Sequence, residues 1–290
     1  MGERVGFIGL GIMGAPMARH LLAAGFPLTV HSRSPAPAEE LVGAGAAHAF
    51  SPADVGRASD IVITMLPDTP DVEHVVLGDD GVHVGIAAGG LVIDMSTIDP
   101  APTRAFAATL SASGVEMLDA PVSGGEKGAV DGTLSIMVGG SDQAFARAMP
   151  LFEAMGTNIV HVGPSGAGQI TKACNQLVVA ATIEAVAEAL VLAERSGVEP
   201  AKVREALLGG FAGSKILEVH GQRMLDRAFE PGFRARLHRK DARIVLDAAE
   251  AAGTAIPSFR VVAAQLDRLV DDAGRGDLDH SALFTLLDEA

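Results

Sequence analysis

The chain has 290 residues, a formal charge of −14 and a 48% hydrophobic composition. That length predicts two domains with real cores, and Gly and Pro are too ordinary in number for wholesale disorder. An acidic surface excludes nucleic acid and anionic membranes as main partners, although a local basic site inside it can still hold a small anion.

The chain opens on a strand-like segment, Val5–Ile8, with no basic region and long apolar run before it, so no signal peptide is expected. Further apolar runs at Leu28–His31, residues 61–65, Leu91–Asp94, 117–119 and 134–138 predict strands, with helix-favouring segments such as 16–24 and 38–44 between the early ones. This alternation predicts βαβ units and a mainly parallel, doubly wound sheet of Rossmann type, covered on both faces. A short run at 159–162 closes this domain, which is expected over residues 1–163.

After Gly163-Pro164-Ser165-Gly166 the pattern changes. Ala167–Arg195 has no Pro and no Gly beyond Gly168, and it stops at Ser196-Gly197. It predicts one helix over roughly 40 Å long. Helical patterns follow at Pro200–Leu208, 214–227, 237–252 and 258–272, without strand signals, so residues 164–290 are expected to form an all-α substrate and oligomerisation domain. No apolar run is expected to cross a bilayer.

Gly9-Leu10-Gly11-Ile12-Met13-Gly14 sits between the first strand and the first helix. That context makes a Gly-x-Gly-x-x-Gly a dinucleotide fingerprint: a tight turn, a close approach of backbone to pyrophosphate, and close helix–strand packing. The helix N-terminus adds free N–H groups and a favourable dipole. The second strand ends in His31-Ser32-Arg33-Ser34, with no acid before Glu39. An acid there would hold the ribose 2′-hydroxyl; Arg33 suits a 2′-phosphate instead, so NADP(H) is expected over NAD(H), which stays the alternative. Met65, Leu66 and Pro67 end the third long strand and predict an apolar wall for the cofactor; Thr97 follows the fourth, facing the nicotinamide end.

Ser123-Gly124-Gly125 after a strand exposes a hydroxyl and N–H groups that suit a carboxylate. The long helix starts with Gly166-Ala167-Gly168-Gln169-Ile170-Thr171-Lys172-Ala173-Cys174-Asn175-Gln176. Lys172 and Asn175 share a face with Gly168, which is expected to clear room beside the lysine, and both side chains are expected to enter an interdomain cleft. A partly desolvated lysine can give and take a proton. Lys240 and Asp241 lie in a basic cluster that a charged helix face explains equally well. Cys174, the single cysteine, excludes an internal disulfide, fits a reducing cytoplasm and is expected to be a small buried thiol. No sequence pattern for a metal is found, and no metal is expected.

As a set, these segments resemble the β-hydroxyacid dehydrogenase family, which includes the 3-hydroxyisobutyrate dehydrogenases. The resemblance runs through Gly9–Gly14, 65–68, 94–100, 119–125, 132–140, 166–176 and 231–241. It implies Lys172 as catalytic acid/base, Ser123, Gly124, Gly125 and Asn175 as substrate ligands, Asp241 as support, and Leu66, Pro67, Thr97 and Lys240 as cofactor contacts. It also implies a small carboxylate-bearing aldehyde or hydroxyacid as substrate and a homodimer or homotetramer. A dinucleotide sensor or scaffold without turnover is the alternative of another class; it would need neither Lys172 nor Asn175.

Overall fold

The computed structural model describes residues 2–289. It divides into two compact units between Lys172 and Ala173. The first holds all the strands: β1 (Val5–Ile8), β2 (Leu28–His31), β3 (Ala47–His48), β4 (Ile61–Thr64), β5 (Leu91–Asp94), β6 (Glu116–Asp119), β7 (Val122–Ser123), β8 (Leu134–Gly139) and β9 (Gly156–Gly163). Their order is β3-β2-β1-β4-β5-β6-β8-β7, with β9 on β8. Pairing is parallel from β3 to β6 and again at β8–β9, while β8 runs antiparallel to β6 and β7. The sheet therefore reverses direction only beyond β6, and the two-residue strands β3 and β7 are too short for an apolar run to reveal.

Alternate residues of the central strands enter two cores. Phe7, Ile61, Ile63, Leu91 and Ile93 pack into one, and Ile8, Val62 and Val92 into the other. Both faces of these strands are thus covered, which is why they read as continuous apolar runs. The covering helices are α1 (Gly14–Ala23), α2 (Pro35–Gly43), α3 (Pro52–Ala58), α4 (Thr69–Leu77), α5 (Val82–Gly85), α6 (Pro100–Ser111), α7 (Gly125–Asp131) and α8 (Asp142–Met155).

Helix α9 (Ala167–Arg195) is continuous and belongs to both units. The second unit continues with α10 (Pro200–Leu208), α11 (Lys215–Leu225), α12 (Ala235–Ala251), α13 (Pro257–Asp267), a π-helical turn at Arg268–Asp272, a 3-10 turn at His280–Leu283 and α14 (Phe284–Asp288). Its core gathers Ala180, Ile183, Ala187 and Leu190 of α9 with Val245, Phe259 and Leu266. One antiparallel bridge, Arg234–Asp279, is its sole extended pairing among the described residues.

Two expectations change here. By length and composition α9 is long and apolar enough to cross a membrane, with a mean hydropathy of 1.8 over its most apolar window. Half of that window is buried inside the protein, where Ala180, Ile183 and Ala187 join the core of the second unit. Cys174 is exposed rather than buried. It follows Lys172 by two positions, so it turns away from the face that carries the lysine.

Candidate active site

Thr64, Asp94 and Asp119 form one row across the sheet. Thr64 is in register with Asp94, and Asp94 with Asp119, at the C-terminal ends of three neighbouring strands. All three are fully buried. Loops that leave doubly wound sheets at this edge build ligand sites, and the Gly9–Gly14, Met65–Pro67 and Met95–Thr97 segments leave here.

The glycine loop has the form a dinucleotide needs. A Cβ on Gly14 would stand 1.9 Å from the Gly9 carbonyl oxygen, so only glycine lets α1 start so close to β1. A Cβ on Gly11 would meet nothing within 4 Å, which leaves the outer side of the loop open to a ligand. Ile12 is exposed and Met13 half-buried over the start of α1. Ser32, Arg33 and Ser34 follow the end of β2; Ser32 is half-buried and the other two are exposed. The Arg33 guanidinium lies 3.9 Å from Asp71, with 86% of its side chain exposed.

Asp94 ties the loops after β4 and β5 together. Its Oδ1 accepts from Thr64 Oγ1 at 2.8 Å and Ser96 Oγ at 2.6 Å. Ser96 Oγ in turn accepts from the Leu66 amide at 2.8 Å. Burial pushes the Asp94 carboxyl up to about 6, opposed by the Ser96 and Thr64 hydrogen bonds and reinforced by Asp119.

Asp119 holds the start of α9. Its Oδ1 accepts from the Gly166 amide at 2.7 Å and its Oδ2 from the Gln169 amide at 2.9 Å. Burial raises this carboxyl, and these amides work against the rise. Gly168 does not open space for the lysine as expected. A Cβ there would lie 2.5 Å from the carbonyl oxygens of Asp119 and Met137, so the glycine is what lets the helix seat on the strand ends. The next turn carries Lys172, 7% exposed, within the first compact unit.

Ser123 is half-buried at the end of β7, followed by exposed Gly124 and Gly125, both at positive φ. Thr97 is half-buried and Pro67 exposed.

In the second unit, Asn175 Nδ2 donates to Gln176 Oε1 at 2.8 Å, and Gln176 Nε2 to Asp241 Oδ2 at 2.5 Å. Asp241 is buried, and its Oδ1 lies 3.0 Å from Lys240 Nζ. The acid thus reaches Asn175 through Gln176, a residue that the sequence did not single out.

A further polar group of this unit went unforeseen because its members are far apart in the chain. His220, His238 and His280 line up, with ring nitrogens 3.3 Å apart between His280 and His220 and 2.9 Å between His280 and His238. Ligand atoms of His220, Asp279 and His280 lie within 4.8 Å of one another. Asp279 is already engaged by the amides of Gly232, Phe233 and Ser281, by Ser281 Oγ and by Arg223. It is therefore a hydrogen-bonding hub for the turn before α12. Burial would raise its pKa, but His220, His280 and these donors hold it well below the ordinary carboxylate range.

A sheet edge with a glycine cradle, followed by a helix that opens on a buried lysine, defines a nucleotide-dependent oxidoreductase. Residues 4–163 match the model of the NAD-binding domain of 6-phosphogluconate dehydrogenase, and residues 166–287 that described as NAD-binding of NADP-dependent 3-hydroxyisobutyrate dehydrogenase. The chain belongs to the β-hydroxyacid dehydrogenase family, that of the 3-hydroxyisobutyrate dehydrogenases. It is 48% identical to 2-hydroxy-3-oxopropionate reductase of Escherichia coli K12, over 98% of this chain and 97% of that protein. It is 41% identical to an NAD-dependent L-serine dehydrogenase of Pseudomonas aeruginosa, over 99% and 98%. A 3-hydroxyisobutyrate dehydrogenase of Mycobacterium tuberculosis, solved with L-serine, superposes with a TM-score of 0.89 at 35% identity, covering 99% of each chain.

Proposed function

We propose that the protein reduces 2-hydroxy-3-oxopropionate to glycerate, with NADPH as preferred hydride donor and Lys172 as proton donor. The observation that carries the reading is Lys172: nearly buried, and set on a helix that Asp119 fastens to the cofactor edge of the sheet. The near-full-length likeness to a 2-hydroxy-3-oxopropionate reductase supports the choice of aldehyde.

The nicotinamide, when bound, supplies the hydride that adds to the aldehyde carbon. Gly9, Gly11, Ile12, Met13 and Gly14 would hold the pyrophosphate, Ser32, Arg33 and Ser34 the 2′-phosphate, and Met65, Leu66, Pro67 and Thr97 the nicotinamide side, with Lys240 as a further contact. Lys172 would give its proton to the carbonyl oxygen as that oxygen gains charge, and Asn175 would hold the same end of the substrate. Ser123 with the Gly124 and Gly125 amides would take the carboxylate. Asn175 Nδ2 already donates to Gln176 Oε1; the remaining polar groups of Asn175 and the Ser123 hydroxyl would find partners on a hydroxylated substrate and not on an apolar one. A hydroxylated semialdehyde therefore suits the site better than the methyl-bearing one that a 3-hydroxyisobutyrate dehydrogenase handles.

The test compares kcat/KM for 2-hydroxy-3-oxopropionate, methylmalonate semialdehyde, succinic semialdehyde and sulfolactaldehyde with NADPH. The first is expected to lead. Preference for another by about tenfold, or about 1.4 kcal/mol in transition-state binding, overturns the substrate. No turnover with any aldehyde favours a sensor or scaffold.

A further inference from the structure

Gln169 lies one turn before Lys172 on the same face of α9, and it is 1% exposed. Its carboxamide spans Thr97. Nε2 donates to the Ser96 carbonyl at 2.8 Å, and Oε1 accepts from the Ile98 amide at 3.1 Å. The peptide groups on both sides of Thr97 are thus fixed by one side chain, much as a neighbouring strand would fix them. Ser96 is bonded onward to Leu66 and Asp94, and the Gln169 backbone to Asp119. The Met65–Pro67 loop, the Met95–Ile98 loop and the first turn of α9 therefore form one hydrogen-bonded body.

We propose that Gln169 is a positioning residue for hydride and proton transfer: it sets the distance between the Thr97 loop and Lys172. This rests on the reading of Lys172 as proton donor. Gln169 commits one amide N–H and one oxygen lone pair to these backbone groups, and at 1% exposure its carboxamide is packed away from solvent. Its effect comes through the groups that it holds. Both transfers must meet one carbonyl, so the proton donor and the nicotinamide-side loop need a fixed spacing.

Two variants separate this from a merely structural role. Gln169→Leu removes both bonds and is expected to lower kcat by about 10²-fold, the scale for a misplacement of about 1 Å, with KM for NADPH little changed. Gln169→Glu can restore both bonds only while its carboxyl is protonated, because an ionised carboxylate has no donor for Ser96. Its kcat is expected to approach wild type in acid and to fall away as the carboxyl ionises. A filler role would lower the melting temperature and leave the shape of the pH profile unchanged. Wild-type kcat and pH profile in folded Gln169→Leu overturn the proposal, as does a Gln169→Glu profile parallel to wild type. Amide hydrogen exchange at Ile98 is measured alongside, and is expected to be faster in Gln169→Leu. If wild type reduces no aldehyde, the functional reading has failed on its own account; Ile98 exchange unchanged by the substitution then overturns the clamp, and faster exchange upholds it.

Discussion

Asp94 and Asp119 are register partners on neighbouring parallel strands, and neither has measurable solvent exposure. Two acids side by side under the cofactor edge make stability depend on pH. The folded Asp94 carboxyl titrates at about 6, above its ordinary 3.8. A raised carboxyl pKa contributes stability that is complete below the unfolded value and is lost as pH rises through the folded one. The wild-type melting temperature should therefore carry a component that declines as pH rises from about 4 to about 7. Asp94→Asn keeps an oxygen for Thr64 and Ser96 and cannot ionise. It should lose that component, so that its melting temperature gains on wild type as pH increases. Parallel melting curves across this range would mean that Asp94 is not the titrating group.

Lys172→Ala should lower kcat by about 10²–10⁴-fold, the usual scale for a lost general acid. The glycine loop and the Asp94 network are untouched by the change, so NADPH affinity, read by fluorescence, should persist. Near-normal turnover by the folded variant would remove Lys172 from the mechanism.

Arg33→Ala should reduce the preference for NADPH over NADH. The guanidinium is almost wholly exposed and its pairing with Asp71 is long, which leaves it able to meet a phosphate. The measurement is kcat/KM with each cofactor in both proteins. An unchanged ratio would assign Arg33 to the loop alone.

The protein should self-associate through α9. Val178 and Leu192 are 60% and 69% exposed, and fourteen positions, nearly four turns, place them on one side of the helix. Exposed apolar stripes of this kind mark protein–protein contacts. Light scattering at micromolar concentration should give two or four times the 29.6 kDa chain mass, and Val178→Glu should shift it downward. A wild-type monomer would contradict this.

What was legible in the sequence follows from the range of each physical signal. The bounds of α9 could be read because nothing within it stops a helix while Gly166 and Ser196-Gly197 lie at its ends. The central strands were visible because burial on both faces makes them apolar throughout. The two-residue strands β3 and β7 have no periodicity to read. Cys174 misled because a helix apolar on most sides does not show which side stays open. Gln169, Gln176 and Asp94 have ordinary local surroundings. Their partners lie 71, 65 and 30 positions away, so their roles exist only once the chain is folded.

The hold of Asp119 on α9 bears on how this protein can be recombined. Linker composition invites a cut near residue 164, between nucleotide-binding and helical parts. A chimera joined there to a foreign nucleotide domain would leave the Gly166 and Gln169 amides facing a strand end with no matching carboxylate. It would also set Gly168 against a surface not shaped to receive it, and the first turn of α9 would fray. Lys172, the residue proposed as proton donor, falls in the same compact unit as the sheet. A functional exchange of modules would have to be spliced after Lys172, inside an unbroken helix, where sequence gives no hint of a seam.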